Sequence, residues 1–343
     1  MADGIHRRLG VVQLQDQGLT GHGIRVGIAG TGIDLSHADL AFRTVGTRSF
    51  TSPSIDDIIG HDTAVTCIIA GSGSKKCRLK GIAPEASLVL AKVTEDNGSA
   101  EEDVLIDALQ WLAGQGVQVI NFSITSDCVT DGRDPVSREV NYLVERRGIG
   151  VVCAAGNYGP VHYSIGSPGA AEKAITVGCV NNRDVLRLAS SRGPTLDGRV
   201  KPDCVAPGER ILAARAKGTH SCQIHNSRQG FFDLSSFATP HVTGIYVLLK
   251  QAYPDADPAT IKQALLATCD PAHMPSLSRI AGLPSGALYR IRAALKRLTS
   301  IKQLDEKCSL GHGRVNGYRA YVKLEELMND EKEKVLASKP PSP

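Results

Sequence analysis

Short runs of β-branched and aliphatic residues alternate along this chain with amphipathic helical stretches, and that alternation is what most constrains the fold. Residues 24–28, 88–93, 117–121 and 150–154 read as buried strands, because each is a largely apolar run of strand length. Between them, residues 101–113 place Val104, Leu105, Ala108, Leu109 and Leu112 on one helical face, and residues 136–147 form a second amphipathic helix. Strands that alternate with helices need crossover connections, so the pattern predicts an α/β fold with a mostly parallel central sheet and helices on both faces. The 343 residues permit one large domain or two ordinary ones. No apolar run reaches membrane-spanning length, and a net charge of +4 is too mild to point to nucleic acid. The nine cysteines form no CxxC pair and several sit in apolar runs, which reads as reduced thiols packed like small hydrophobes. With no apolar signal stretch at the amino terminus, a cytoplasmic location is expected.

A glycine-rich turn follows the first strand, Gly27-Ile28-Ala29-Gly30-Thr31-Gly32-Ile33-Asp34. It is a poor dinucleotide cradle, because Leu35 stands where the third glycine would be and no second strand ends in an acid about twenty residues on. Three other segments make a better chemical set. Gly60-His61-Asp62-Thr63 opens a helical run, Ala155-Gly156-Asn157 follows a strand, and Leu234-Ser235-Ser236-Phe237 starts another helix. A hydroxyl to attack a carbonyl, an imidazole to take its proton and an amide to hold the oxyanion are the parts of acyl transfer.

At these residues the chain resembles the subtilisin family of serine peptidases, over about residues 10–320. Thr31-Gly32-Ile33-Asp34 with His37-Ala38-Asp39-Leu40 is similar to the family's first block, and His61-Asp62-Thr63 to its histidine block. Ala155-Gly156-Asn157 is similar to the oxyanion block, and residues 235–242 to the serine block. Further matches are residues 81–86, 190–194, 201–208 and 313–320, all in the family's order. The resemblance implies a three-layer sandwich in one domain over residues 1–325, acting on peptide or protein substrates. It makes Ser236 the nucleophile, His61 the general base and Asn157 the oxyanion donor.

The resemblance breaks at the third member of the triad. The family's aspartate falls at Gly30, which has no side chain to orient an imidazole. Asp62 replaces the glycine that usually follows the histidine and is the candidate compensating acid. Neighbouring side chains at a helix start diverge, so the expected role of Asp62 is instead to satisfy free N–H groups there. Asp34 matches a non-catalytic position. Leu234 and Ser235 replace Gly-Thr, and Phe237 replaces methionine. Two readings stay open: a serine endopeptidase weakened by Gly30, or a pseudopeptidase binding a peptide in the old groove. A ligase is a third, with no residue arguing for it. With the first block within thirty residues of Met1, no room for a propeptide is expected, as in intracellular forms.

The remaining features read more plainly. His220, Cys222 and His225 fit no standard zinc spacing, and His241, Lys201 and Asp203 read as structural. No cofactor is expected; the family often binds calcium through loop carbonyls, which leave no motif. A basic helical insertion at about 271–310 puts Arg290, Arg292, Lys296 and Arg297 on or beside the face opposite an apolar one. It reads as a helix packed on the domain with a solvated basic side; the alternative is a docking surface at 286–306 for an acidic partner, an anionic membrane or nucleic acid. Residues 326–343 are expected to form a charged, frayed tail.

Overall fold

The computed structural model describes residues 2–75, 78–275 and 306–337. Residues 286–305, nearly all of the expected basic helix, lie outside these residues. The apolar runs become the centre of a parallel seven-stranded sheet in the order β2-β3-β1-β4-β5-β6-β7. Its strands are β1 (Arg25–Gly30), β2 (Thr44–Ser49), β3 (Ser87–Lys92), β4 (Val119–Phe122), β5 (Gly150–Ala154), β6 (Ile175–Val180) and β7 (Cys204–Pro207). Side chains alternate between the two faces with the period of two that an extended chain requires. Val26, Ile28, Leu88, Leu90, Val119 and Val152 enter one core, while Ala29, Val89, Ala91, Ile120, Phe122 and Val151 enter the other.

Helices cover both faces, as the strand–helix alternation predicts. The second core is closed by α4 (Glu102–Gly114) and α5 (Pro135–Arg147), the latter capped by Asp134, whose carboxylate accepts from Ser137 N–H at 2.9 Å. The first core holds α3 (His61–Ala70), α6 (Ser235–Ala252) and α7 (Pro258–Ala267), with α1 (Ala2–Arg8) and α2 (Val11–Asp16) from the amino end. Helix α6 is apolar nearly all round because it is buried nearly all round, against β4, β5, β6, β7 and α3. A small antiparallel sheet of β8 (Ile211–Ala214), β9 (Gln223–Asn226) and β10 (Gln229–Phe232) delivers the chain directly into α6.

A short α8 (Glu306–Leu310) precedes α9 (Gly317–Ala337). The latter runs on through residues 326–337, into the stretch expected to form a charged tail. Leu327 and Met328 pack against the core, so the apolar stripe begun at Ala320 and Leu324 carries the helix on.

Strand order positions the site. From β1 the chain fills β2 and β3 on one side and then crosses to β4 on the other. The carboxyl ends of β1 and β4 therefore diverge into a crevice, where α/β sheets present their ligands.

Candidate active site

Gly60, at φ 87°, turns the chain into α3; a β-carbon there would sit 2.6 Å from Thr219 Oγ1. His61 is the first residue of the helix, and its free N–H groups need acceptors. Asp57 supplies them. Its carboxylate accepts from Gly60 N–H at 2.6 Å, Thr63 N–H at 2.8 Å, Thr63 Oγ1 at 2.8 Å and Thr31 Oγ1 at 2.9 Å. Burial and the Asp62 charge push the Asp57 carboxyl upward despite these donors.

With the helix start satisfied by Asp57, Asp62 is released for another contact. Its Oδ1 lies 2.6 Å from His61 Nδ1, and its Oδ2 accepts from Thr31 N–H at 2.9 Å. Thr31 Oγ1 completes the frame by accepting from Asp62 N–H at 3.0 Å. This corrects the expectation that neighbouring side chains would diverge. The reason lies at Gly30: a β-carbon there would fall 1.8 Å from Asp62 Oδ2. The carboxylate of residue 62 fills the space where a side chain of residue 30 would begin. Asp34 faces elsewhere, accepting from Ser36 N–H and Lys217 N–H, each at 2.9 Å.

Burial lowers the affinity of His61 for a proton, but the hydrogen bond and charge of Asp62, with the charge of Asp57, outweigh it. The imidazole is held above its ordinary value of 6.5. The other face of the ring meets Phe237, with centroids 5.2 Å apart.

Ser236 stands in the first turn of α6, where N–H groups have no partner within the helix and the dipole is positive. Four residues on, Pro240 has no N–H to give the Ser236 carbonyl, which instead accepts from Ser123 Oγ at 3.1 Å. In return Ser236 Oγ donates to the Ser123 carbonyl at 3.2 Å. That reciprocal pair ties Ser236 to the end of β4. Asn157, beyond β5, accepts through Oδ1 from Ser235 N–H at 3.1 Å and Ser235 Oγ at 2.8 Å. Both contacts use the oxygen and leave the amide NH2 as the donor end.

The structure thus brings Asp62 onto His61 and anchors Ser236 to Ser123 and Asn157 to Ser235, while Phe237, the residue after Ser236, packs on His61. Sequence reading gave no role in the site to Asp57, Thr31, Ser123 or Ser235. An aspartate shortly before a helical run, as in Asp57-Ile58-Ile59-Gly60-His61, is a helix-start signal that pointed to the first. His241 binds the Phe237 carbonyl at 2.9 Å through Nδ1, and burial pushes it down to about 3. Lys201 and Asp203 form a buried pair at 2.6 Å beneath β6. His220 and Cys222 border the cleft beside His61 and Phe237. Among the described residues no group of three or more His, Cys, Asp or Glu side chains could hold a metal ion. Asp39, a buried carboxylate in the first block, does not fit calcium, because it accepts from Ser72 Oγ at 3.0 Å, Ser74 N–H at 2.6 Å and Leu79 N–H at 3.4 Å. No described helix is long and apolar enough to cross a membrane.

Residues 21–283 match the Subtilase family, and the chain belongs to it. It is 34% identical over 274 residues to the serine protease AprX of Bacillus subtilis (strain 168), covering 73% of this chain and 62% of that protein. It is 32% identical over 246 residues to the major intracellular serine protease of the same organism, covering 68% and 70%. The solved structure of the prenylagaramide maturation protease PagA superposes with a TM-score of 0.69 over 92% of this chain and 98% of that one. At 20% identity that likeness concerns the fold alone.

Proposed function

We propose that this chain is a working serine endopeptidase whose catalytic acid has moved from the end of β1 to the residue after the histidine. The observation that carries this reading is the place of the Asp62 carboxylate, on His61 Nδ1 and inside the volume that Gly30 leaves vacant. The acid of a triad must hold one imidazole tautomer and stabilise the imidazolium; which backbone position supplies it is immaterial.

In this reading His61 Nε2 takes the proton of Ser236 Oγ as that oxygen bonds to the substrate carbonyl carbon. The charge that develops on the carbonyl oxygen is met by the Asn157 amide NH2 and the Ser236 N–H at the helix start. The carbon–nitrogen bond then breaks, and His61 returns the proton to the departing amine. Water repeats the sequence on the acyl–Ser236 ester. Throughout, His61 Nδ1–H stays on Asp62, whose second oxygen is fixed by Thr31. The names of two similar proteins, both intracellular serine proteases, support action inside the cell on peptide or protein substrates.

A pseudopeptidase is favoured by one observation: the Ser236 hydroxyl donates to Ser123 O, so attack requires it to rotate to another staggered position. Resting geometries of this kind tighten in substrate complexes. Labelling with a fluorophosphonate decides between the two. Modification of wild type at Ser236, absent in Ser236→Ala, is the expected result. A folded wild type that resists the reagent would establish the binding protein instead.

A further inference from the structure

A line of polar side chains crosses the otherwise apolar packing of β4 against α6. Asn121 and, just beyond the strand, Ser123 lie two residues apart and so share the face of β4 that meets the helix. Ser236 and Thr243, about two turns apart, answer them from α6. Asn121 and Thr243 are wholly buried and Ser123 nearly so.

The hydrogen bonds of this line run in one direction. Thr243 Oγ1 donates to Asn121 Oδ1 at 2.8 Å, Asn121 Nδ2 donates to Ser123 Oγ at 3.0 Å, and Ser123 Oγ donates to the Ser236 carbonyl at 3.1 Å. Asn121, Ser123 and Thr243 leave no buried polar atom without a partner. Each link sets the next. The Thr243 proton needs an acceptor, so the Asn121 amide turns its oxygen to α6 and its NH2 to Ser123. That NH2 fills an acceptor position of Ser123 Oγ, and the Ser123 proton is left to point at Ser236.

Buried polar groups must give up water, and an apolar pair at 121 and 243 would pack without that penalty. The far end of the line shows what it serves. Pro240 has no N–H for the Ser236 carbonyl, so Ser123 Oγ is the donor that holds it. A carbonyl released from that donor lets the peptide between Ser236 and Phe237 turn. That peptide joins the nucleophile to the ring that packs 5.2 Å from His61, centroid to centroid.

Resting on the assignment of Ser236 and His61 given above, we infer that Asn121 and Thr243 are positioning residues for the nucleophile. They act through Ser123: they aim its hydroxyl, which holds the Ser236 backbone in the orientation from which Oγ attacks the peptide carbonyl.

Three variants test this, with kcat and KM read on an internally quenched peptide and folding read as the thermal midpoint. Thr243→Val keeps the shape and removes the hydroxyl, so kcat should fall about tenfold or more with KM within about twofold of wild type. Thr243→Ser keeps the hydroxyl and should stay within about twofold of wild type in kcat. Asn121→Leu/Thr243→Val makes both partners apolar, so neither is orphaned by the other and the thermal midpoint should stay close to wild type. It should still lose kcat as Thr243→Val does, which a purely structural role would not produce. The double variant also decides the matter where Thr243→Val alone fails to fold. Wild-type kcat in the folded double variant would overturn the inference, as would a loss in Thr243→Ser equal to that in Thr243→Val. Fluorophosphonate labelling of wild type keeps this result separate from the proposed activity. If wild type resists the reagent, that activity fails, and crystal structures of wild type and the double variant decide the positioning alone. Ser123 Oγ on the Ser236 carbonyl in the first and turned from it in the second upholds it, and an unchanged contact refutes it.

Discussion

Adding a single methyl group at Gly30 should disable the site, although Gly30 contributes no functional atom. In Gly30→Ala the new β-carbon would lie 1.8 Å from Asp62 Oδ2 and 2.4 Å from its carboxyl carbon, where ordinary contact begins at 3.4 Å. The β1 backbone is held in the sheet by β3 and β4 on either side, so the carboxylate is what must retreat, by roughly 1.5 Å given the stiffness of packed interiors. That movement breaks its bonds to Thr31 N–H, 2.9 Å, and His61 Nδ1, 2.6 Å. Hydrogen bonds to charged groups contribute about 1.5–3 kcal/mol each. Losing both removes about 3–6 kcal/mol of support for the imidazolium, or about 10²–10⁴ in rate. Gly30→Asp should fare no better, because it adds the same β-carbon and a second carboxylate. Gly30→Asp combined with Asp62→Gly should recover to within about tenfold of wild type, since each change removes the obstacle to the other. The assay is the second-order rate of fluorophosphonate labelling alongside peptide kcat/KM, with circular dichroism to confirm folding. Wild-type labelling by Gly30→Ala would refute the reasoning, as would a double variant slower than either single one.

Other outcomes follow from the same geometry. Asp62→Asn keeps the shape but not the charge, so kcat should fall by about 10⁴. Its acid limb should move to lower pH: wild type needs neutral His61 and should lose activity as pH falls through a value above 6.5, because the hydrogen bond and charge of Asp62 overcome the effect of burial. Asn157→Ala should reduce kcat about 10²–10³-fold with KM little changed, as expected when a donor acts on the developing oxyanion. Gly244→Ala should destabilise the fold in thermal or urea unfolding by about 1–3 kcal/mol, because overpacking outweighs the gain in helix propensity. Its β-carbon would meet the branched Ile82 Cβ at 2.4 Å.

Much of the frame was legible in the chain. The strand β5 falls where the apolar run 150–154 placed it, and α4 and α5 begin within a residue of their expected starts. The reason is local: buried parallel strands must be apolar on both faces, and amphipathic helices must carry a stripe. The edge strand β2, half exposed and without an apolar run, left no such mark, and neither did the polar strand β9 of the small sheet. The continuation of α9 past residue 325 was hidden by its charged sequence, in which Leu327 and Met328 are the apolar side chains that pack against the core among the described residues.

Sequence alone also named the candidate groups, the hydroxyl, imidazole and amide of Ser236, His61 and Asn157, in the order of a family to which the chain belongs. It could not place a carboxylate against the imidazole. A missing side chain at position 30 reads as a loss as long as the chain is a line. Only the tertiary structure decides that the end of β1, the Asp57 loop and the first turn of α3 converge. There Asp57 satisfies the helix start, Thr31 receives the Asp62 carboxylate, and the bare Gly30 makes room for it. A carboxylate acts from where its oxygens lie, and that position is fixed by packing between segments that the sequence keeps about thirty residues apart.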